Sequence, residues 1–497
     1  MKHNINFLFI YPEVTYTNTG RFQRGIAYLS AGLKKEDHQV GLITVRSIPS
    51  KEQWLDQLQI FQPDIIGFSA ISAQAPIVRH LVEMTKELGI FTIWGGVHAT
   101  LDPESSIMTD GIDAVCRGEA DIVLPRFVNA FASGQSLDKI ESFYVKTKDK
   151  ILKAPVAPLL ENLDDLPFPD YDIFPFNETE DFTYFKAVSV LASRGCPFNC
   201  SYCANNALRY IYPNHSKYCR IRSVRNVLSE IEYLIKKYPA ATYVRFSDDT
   251  LSSSMEWFEE FCKMYKEKIG LPYSSNERAE FISEEKADLY RDSGCVSLDI
   301  GIENGNEMLR FNVMNRKVKN ETIIKAFHLL AKRGIRTNAF NILGMPTETS
   351  ETVLDTIKLN AKCNVTHFFN AYFHPFISTD AYKLSEKMGL IDKSLELPTS
   401  LAEKPVLKLA SITETDLIFY YKFFAFLVRL YTVCYRFFKD GGRFIKILDA
   451  IIKSPVFSRG FLNKCAITTT DFKKRFPLLS RYLVRLKRAI SKPYTHA

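Results

Sequence analysis

Eight residues, Cys196-Pro-Phe-Asn-Cys200-Ser-Tyr-Cys203, carry three cysteines in the spacing C-x3-C-x2-C. They follow an apolar run, Ala187-Val-Ser-Val-Leu-Ala192, and a turn, Ser193-Arg194-Gly195. A tight loop after a strand can hold three thiolates on one side, which suits three irons of a cuboidal 4Fe–4S cluster. A purely electron-carrying cluster normally takes four cysteines, so a triplet with no close fourth leaves one iron open to a substrate or cosubstrate. The bland alternatives are a zinc loop or three buried thiols. Zinc sites usually come as two C-x2-C pairs or mix in histidine, and no second pair lies near.

Other residues with chemical potential close strand-like runs further along. They are Phe246-Ser-Asp248-Asp249-Thr250, Asn276-Glu-Arg278, Gly301-Ile-Glu303-Asn-Gly305 and Asn341-Ile-Leu-Gly344-Met-Pro346-Thr-Glu348-Thr349. The first third of the chain has Ser69-Ala-Ile71, Gly95-Gly96-Val97-His98-Ala99-Thr100 and Arg117-Gly118-Glu119 in equivalent places. Paired glycines at a strand end let a flat ligand approach the backbone. Each segment alone also reads as a solvated loop.

The elements that must position these residues are two α/β units. Strands at Asn6–Ile10, Val40–Val45, Ile65–Ser69, Phe91–Trp94 and Ala114–Cys116 alternate with helical patterns at Gln23–Lys35, Gln53–Phe61, Ala75–Leu88 and Asp121–Ala132. This predicts a doubly wound, Rossmann- or flavodoxin-like parallel sheet over residues 1–149, with ligands outside its strand carboxyl ends. Residues 150–186 are rich in proline and acids and read as a surface linker. From Ala187 the alternation resumes, with strands at Ala187–Ala192, Tyr243–Ser247, Tyr273–Asn276, Ser297–Ile302, Thr337–Leu343 and His367–Phe373. Six β/α units over 187–385 predict a partial TIM-type barrel, and the candidate segments fall at the strand ends where such barrels do chemistry.

The cysteine triplet resembles the signature of radical S-adenosylmethionine (radical SAM) enzymes. The resemblance implies that SAM chelates the open iron through its amino and carboxylate groups and that Tyr202 lies against the adenine. It further implies that Asp248 and Asp249 face the SAM amino group, that Arg278 pairs with the SAM carboxylate, and that Glu303 and the Gly344 turn hold its other polar parts. The first third is similar to a cobalamin-binding domain fused to such barrels, which implies cobalamin contacts at Ser69, Gly95, Gly96, His98, Arg117 and Glu119. The cobalt-ligating Asp-x-His-x-x-Gly loop of that domain is missing: residues 11–20 read Tyr11-Pro-Glu-Val-Thr-Tyr-Thr-Asn-Thr-Gly20, without histidine. His98 is therefore read as a local hydrogen-bonding residue, and a degenerate domain that binds nothing stays open. The implied activity is radical functionalisation of an unactivated carbon of a small-molecule or lipid substrate, with methyl transfer via methylcobalamin the family's best-known outcome. Ring-forming or ring-contracting chemistry is the alternative, and a flavodoxin- or ferredoxin-type donor is the implied partner. A non-catalytic cobalamin or iron–sulfur sensor would not need the SAM-facing segments. A methylthiotransferase acting on RNA would need three more cysteines in the first domain, where Cys116 stands alone.

Composition agrees with a globular enzyme. The chain has 497 residues, 46% of them hydrophobic, and a net charge of +8. Residues 411–497 hold 17 Lys/Arg against 5 Asp/Glu, +12, so the first 410 residues stand at −4 and have no basic bias toward nucleic acid. Ten cysteines, scattered except for the triplet, and no signal-peptide pattern predict a reducing cytoplasm. Residues 386–497 are predicted to be a helical, basic, aromatic-rich region outside the barrel. Within it, Asp416–Lys439 is a helix apolar over most of its circumference, with Lys422, Arg429 and Arg436 on one stripe. The expected roles are a helix buried against the barrel, a substrate-channel element or, with the cations from Lys473 to Arg488, a membrane-surface contact.

Overall fold

The computed structural model describes residues 4–13 and 20–454, apart from 366, 393, 394, 396, 399, 439 and 441. The expectation for the cations from Lys473 onward lies outside the described residues. Strands β1 (Asn6–Pro12), β2 (Gln39–Val45), β3 (Ile65–Ser69), β4 (Phe91–Gly95) and β5 (Ala114–Cys116) form a parallel sheet in the order 2-1-3-4-5. Its strands are nearly continuous apolar runs because helices cover both faces. Alternate residues of β1 enter different cores: Phe7 and Phe9 one, Leu8 and Ile10 the other.

Two strands of this sheet escaped the sequence reading, as did a short ribbon described below. β6 (Phe143–Lys146) and β7 (Ile151–Lys153) add an antiparallel hairpin to this sheet, so the first domain runs past the expected boundary at 149. Each is too short to show a period. The expected surface linker is also corrected. Tyr171, Phe174, Phe176 and Phe182 are buried, with Phe22 stacked on Tyr171 at 5.0 Å and Phe176 on Tyr238 at 4.4 Å. These rings lie in one core that continues from the sheet domain into the barrel.

In the second unit, β8 (Ala187–Val190) leads into a two-stranded ribbon of β9 (Ser193–Arg194) and β10 (Arg220–Ile221). The barrel wall is completed by β11 (Tyr243–Phe246), β12 (Tyr273–Glu277), β13 (Cys295–Glu303), β14 (Arg336–Leu343) and β15 (His367–Tyr372). All six strands are parallel, in the order 8-11-12-13-14-15. Val188, Val244, Leu298 and Ala339 point outward to the helices, and the opposite residues face a polar lumen. There Arg245 approaches Asp299 at 3.6 Å, and Asn338 donates to the same carboxylate at 2.5 Å.

The open edge at β15 is covered by two helices, α1 (Ser350–Lys362) and α2 (Glu414–Phe437). Phe368 of β15 meets Phe424 of α2 edge-on at 5.6 Å, and Tyr372 stacks on Tyr421 at 4.6 Å. Thr413 caps α2, its hydroxyl accepting from the Asp416 amide at 3.1 Å. A final helix, α3 (Arg443–Lys453), buries Ile445 in the same cluster. One face of α2 is thus the packed element that the aromatic composition predicted.

Candidate active site

The cysteine loop is gripped at both ends. Asp248, just after β11, accepts from the amides of Ala192 and Ser193 at 3.1 and 2.5 Å and from the Ser193 hydroxyl at 2.5 Å. Gly195 has φ +84°, and a Cβ there would run into the Tyr218 carbonyl. Beyond the turn, Ser201 donates from its amide to Met314 at 3.0 Å and from its hydroxyl to Val313 at 2.6 Å. Asn315 donates to the Asn199 carbonyl at 2.8 Å.

All three thiols are free, and no three His, Cys, Asp or Glu side chains among the described residues converge as they would around one metal ion. Ligands to three different irons need not converge on a single point, as the ligands of one tetrahedral zinc must. Burial pushes the Cys196 thiol up to about 11 and the Cys203 thiol up to about 12, with the Asp249 carboxylate adding to both. A coordinating metal removes such protons outright. Cys200 accepts an N–H from Arg278 at 3.5 Å, a donor suited to a ligating sulfur.

The strand ends around the loop carry charges held without full partners. Arg278 lies over the Phe198 ring at 3.5 Å and forks onto Glu280. Arg316 stands 3.7 Å from Glu280 and 3.6 Å from Glu303, and donates to the Gly301 carbonyl at 2.8 Å. The Glu280 Oε2 and Arg316 Nε atoms are buried without a hydrogen bond. Glu303 has φ +63°, which turns its carboxyl inward beside Tyr202, and burial raises its pKa. Tyr202 packs with Met314, Met345 and Ile342. Gly344, at φ +89°, donates to Glu348, as does Met345 at 3.3 Å, while Asn304 donates to the other Glu348 oxygen at 2.7 Å. Burial pushes the Glu348 carboxyl up to about 7.

The two adjacent aspartates separate here. Asp248 is buried and both its oxygens are engaged by the loop, so the expectation that its carboxylate faces the SAM amino group is corrected. Asp249 is exposed, accepts one bond from Asn205 at 2.9 Å and acts electrostatically on Cys196 and Cys203. Sequence reasoning missed Arg316 and Glu280. Arg316 sits in a loop between barrel units with no pattern around it, while Glu280, two residues after Arg278, could have been found.

A cavity of about 390 Å³ lies at the carboxyl ends of β1, β3 and β4, with Ser69, Gly95, Gly96 and Glu119 in its lining. Gly96 has φ +88°, and a Cβ there would stand 2.7 Å from the Ala70 amide, so only glycine permits this close turn. The cavity would receive part of a cobalamin, such as its nucleotide tail. Arg24, Leu191 and Arg194 line its mouth, and Arg24 reaches on to Ser247 in the barrel at 2.9 Å and to Ser189. The Arg24 Nε atom is buried without a partner. No histidine is among the lining residues.

Two expected cobalamin contacts, His98 and Arg117, lie outside the lining, and a third, Glu119, reaches it already paired. His98 is buried behind the cavity, 3.3 Å from the Ser72 hydroxyl and against the Trp94 ring, and burial lowers its pKa to about 4. Arg117 donates to the Tyr144 hydroxyl at 3.0 Å and lies over that ring, away from the lining. Glu119 reaches the lining, but its carboxylate pairs with Arg194 at 3.0 Å and with Arg220. Asp121 takes Arg194 through two bonds of 2.7 and 3.0 Å. Burial alone would raise the Asp121 carboxyl, but Arg194 outweighs it and holds it below the usual range. This segment therefore latches the first domain to β9, two residues before Cys196.

A doubly wound sheet with a tail-sized cavity, opening on a partial barrel whose first loop carries three cysteines, defines a cobalamin-type radical SAM architecture. The Radical SAM superfamily profile matches residues 190–359 and the B12 binding domain profile matches residues 22–128. An uncharacterized methyltransferase of Pyrococcus horikoshii is 26% identical over 79% of this chain and 84% of its own. The anaerobic magnesium-protoporphyrin IX monomethyl ester cyclase of Rubrivivax gelatinosus is 28% identical over 91% of this chain and 83% of its own. In fold, the chain is similar to the radical SAM methyltransferase TsrM of Kitasatospora setae, solved with cobalamin and a [4Fe–4S] cluster. That likeness has TM-score 0.64 at 16% identity, over 79% of this chain and 76% of that one. The chain thus joins a B12 binding domain to a Radical SAM domain, as the cobalamin-dependent radical SAM enzymes do. Its cofactors are a 4Fe–4S cluster, SAM and cobalamin.

Proposed function

We propose that this enzyme transfers a methyl group to an unactivated carbon of an apolar small molecule or lipid. The observation that carries the reading is a lining drawn from both units: Leu191 and Arg194 of the barrel line the first domain's cavity, and Arg24 of that cavity donates to Ser247 at the end of β11 at 2.9 Å. A corrin there and SAM at the cluster loop would face one space. When bound, these groups supply the radical and the methyl group.

The chain's own part is to hold and orient. Cys196, Cys200 and Cys203 would hold the cluster, and Asp249 would take the SAM ammonium. Arg278, Arg316, Glu280 and Glu303 would bind its carboxylate and hydroxyls, and Tyr202 would support the adenine. Ser69, Gly95 and Gly96 form the cavity wall that receives the corrin tail. Phe369, 51% exposed, stacks on Phe340 at 5.1 Å along the lumen side of β15 and β14, a surface suited to apolar substrate. Electrons come from a flavodoxin- or ferredoxin-type donor in the cytoplasm, and work at a membrane surface would let the enzyme meet a lipid.

Likeness to a ring-forming cyclase over nine tenths of the chain supports a second reading, oxidative ring formation without methyl transfer. Mass spectrometry of metabolites and lipids from cells with and without the gene separates the two. Methyl transfer predicts a product about 14 daltons heavier than its precursor, ring formation one about 2 daltons lighter.

A further inference from the structure

The two C-terminal helices present a face that takes no part in the cofactor sites, and a membrane role for it deepens the lipid-substrate reading above. α2 turns Leu417, Tyr420, Phe424, Leu427 and Tyr431 toward α1 and the barrel edge. At 3.6 residues per turn, Lys422, Phe426, Arg429, Val433, Arg436 and Phe437 fall within about 100° of one another on the other side. Phe426 is 62%, Val433 51% and Phe437 75% exposed. α3 repeats the arrangement, with Ile445 buried and Phe444, Ile447 and Ile451 exposed. Phe438 stacks on Phe444 at 3.9 Å and joins the two rows into one apolar surface.

The charges on this corner are one-sided. Between residues 417 and 454 the carboxylates are Asp440 and Asp449. Both turn onto lysines of α1, Asp449 to Lys358 at 3.1 Å and Asp440 to Lys362. Arg429, Arg436, Arg443 and Lys446 are exposed, and among the described residues no carboxylate pairs with them.

α2 is long and apolar enough to cross a membrane, but its inner face belongs to this protein's core and its outer face carries a cation every seven residues. A second copy would bring the same cations face to face. The chain's own residues 455–497 hold ten Lys/Arg against one Asp and would be repelled as well. An apolar surface rimmed by cations matches anionic headgroups over an acyl boundary. We propose that the α2–α3 corner docks on an anionic bilayer surface, with both helices lying in the interface plane.

Flotation of the full-length protein with phosphatidylcholine vesicles, with and without phosphatidylglycerol, tests this at low and high salt. The expected result is flotation with anionic vesicles at low salt, lost at high salt because headgroup attraction is screened. Binding should fall at least about tenfold both in Phe437→Ser/Phe444→Ser/Ile447→Ser and in Arg429→Glu/Arg436→Glu/Arg443→Glu, each retaining wild-type iron. The proposal is overturned if the wild type stays with the soluble fraction at low salt, or if both triple variants float as it does. It is also overturned if the serine variant only converts a dimer to a monomer while vesicle binding is unchanged. No substrate enters the assay, so its failure is separate from failure of the methyl-transfer reading.

Discussion

The barrel mouth and the first domain's cavity occupy the same place in their sheets, the carboxyl ends of parallel strands, yet they are built differently. The barrel mouth is made of charged side chains whose groups are held partly unsatisfied, as with Glu280 and Arg316. The cavity is walled largely by backbone and by small or apolar residues, and most charged residues at its edge, Glu119, Asp121 and Arg194, pair with one another or with Arg220. A polar cosubstrate needs side-chain partners at fixed points, whereas a tail sliding between strands needs room. The same strand-end location therefore leaves two different imprints on a sequence.

The largest expected effect tests the first imprint. Changing Cys196, Cys200 and Cys203 together to alanine should remove essentially all of the about four irons per chain found after anaerobic reconstitution. Equal iron in the triple variant would remove the cluster from this loop.

The latch between the two regions comes next. Asp121→Asn breaks the charge pairing of the half-buried Arg194 and should cost about 2 kcal/mol of stability by thermal or denaturant unfolding. It should also weaken cobalamin binding, because β9 forms part of the cavity mouth. If Asp121→Asn unfolds like the wild type, the latch contributes nothing.

The paired aspartates sharpen the contrast within the barrel. Asp249→Asn should weaken SAM binding about 10- to 100-fold with iron retained, the loss of one charge-assisted bond. Asp248→Asn should instead lower cluster retention, because that carboxylate holds the loop. Matching effects from both would show that the division of roles is wrong.

His98 should have the smallest effect. Bound cob(II)alamin should show no nitrogen superhyperfine splitting by electron paramagnetic resonance, in wild type and in His98→Ala alike. Burial lowers this imidazole to about 4, so the unfolded chain binds the extra proton first as pH falls. The wild type should therefore lose stability between about pH 6.5 and 4 through this group. His98→Ala should lack that component, which parallel unfolding curves would reveal.

The legibility of the sequence follows the same division. The triplet, Glu303, Gly344 and the parallel strands were readable because each depends on residue type at short spacing. Asp248 and Asp249 are adjacent, and only the fold shows which faces the loop and which the mouth. Arg316 reaches the site from a loop, and β6 and β7 are too short to carry a period. His98 and Glu119 lie in motifs rightly linked to the cavity, but motif membership does not tell a lining residue from one holding the wall or the neighbouring domain.

The central claim is that both cofactor sites open on one space. Electron paramagnetic resonance of full-length protein holding a reduced cluster and cob(II)alamin tests it most directly. Two paramagnets sharing that mouth should broaden each other's signals relative to protein holding either one alone. Spectra of the doubly loaded protein that equal the sum of the singly loaded ones would contradict the account.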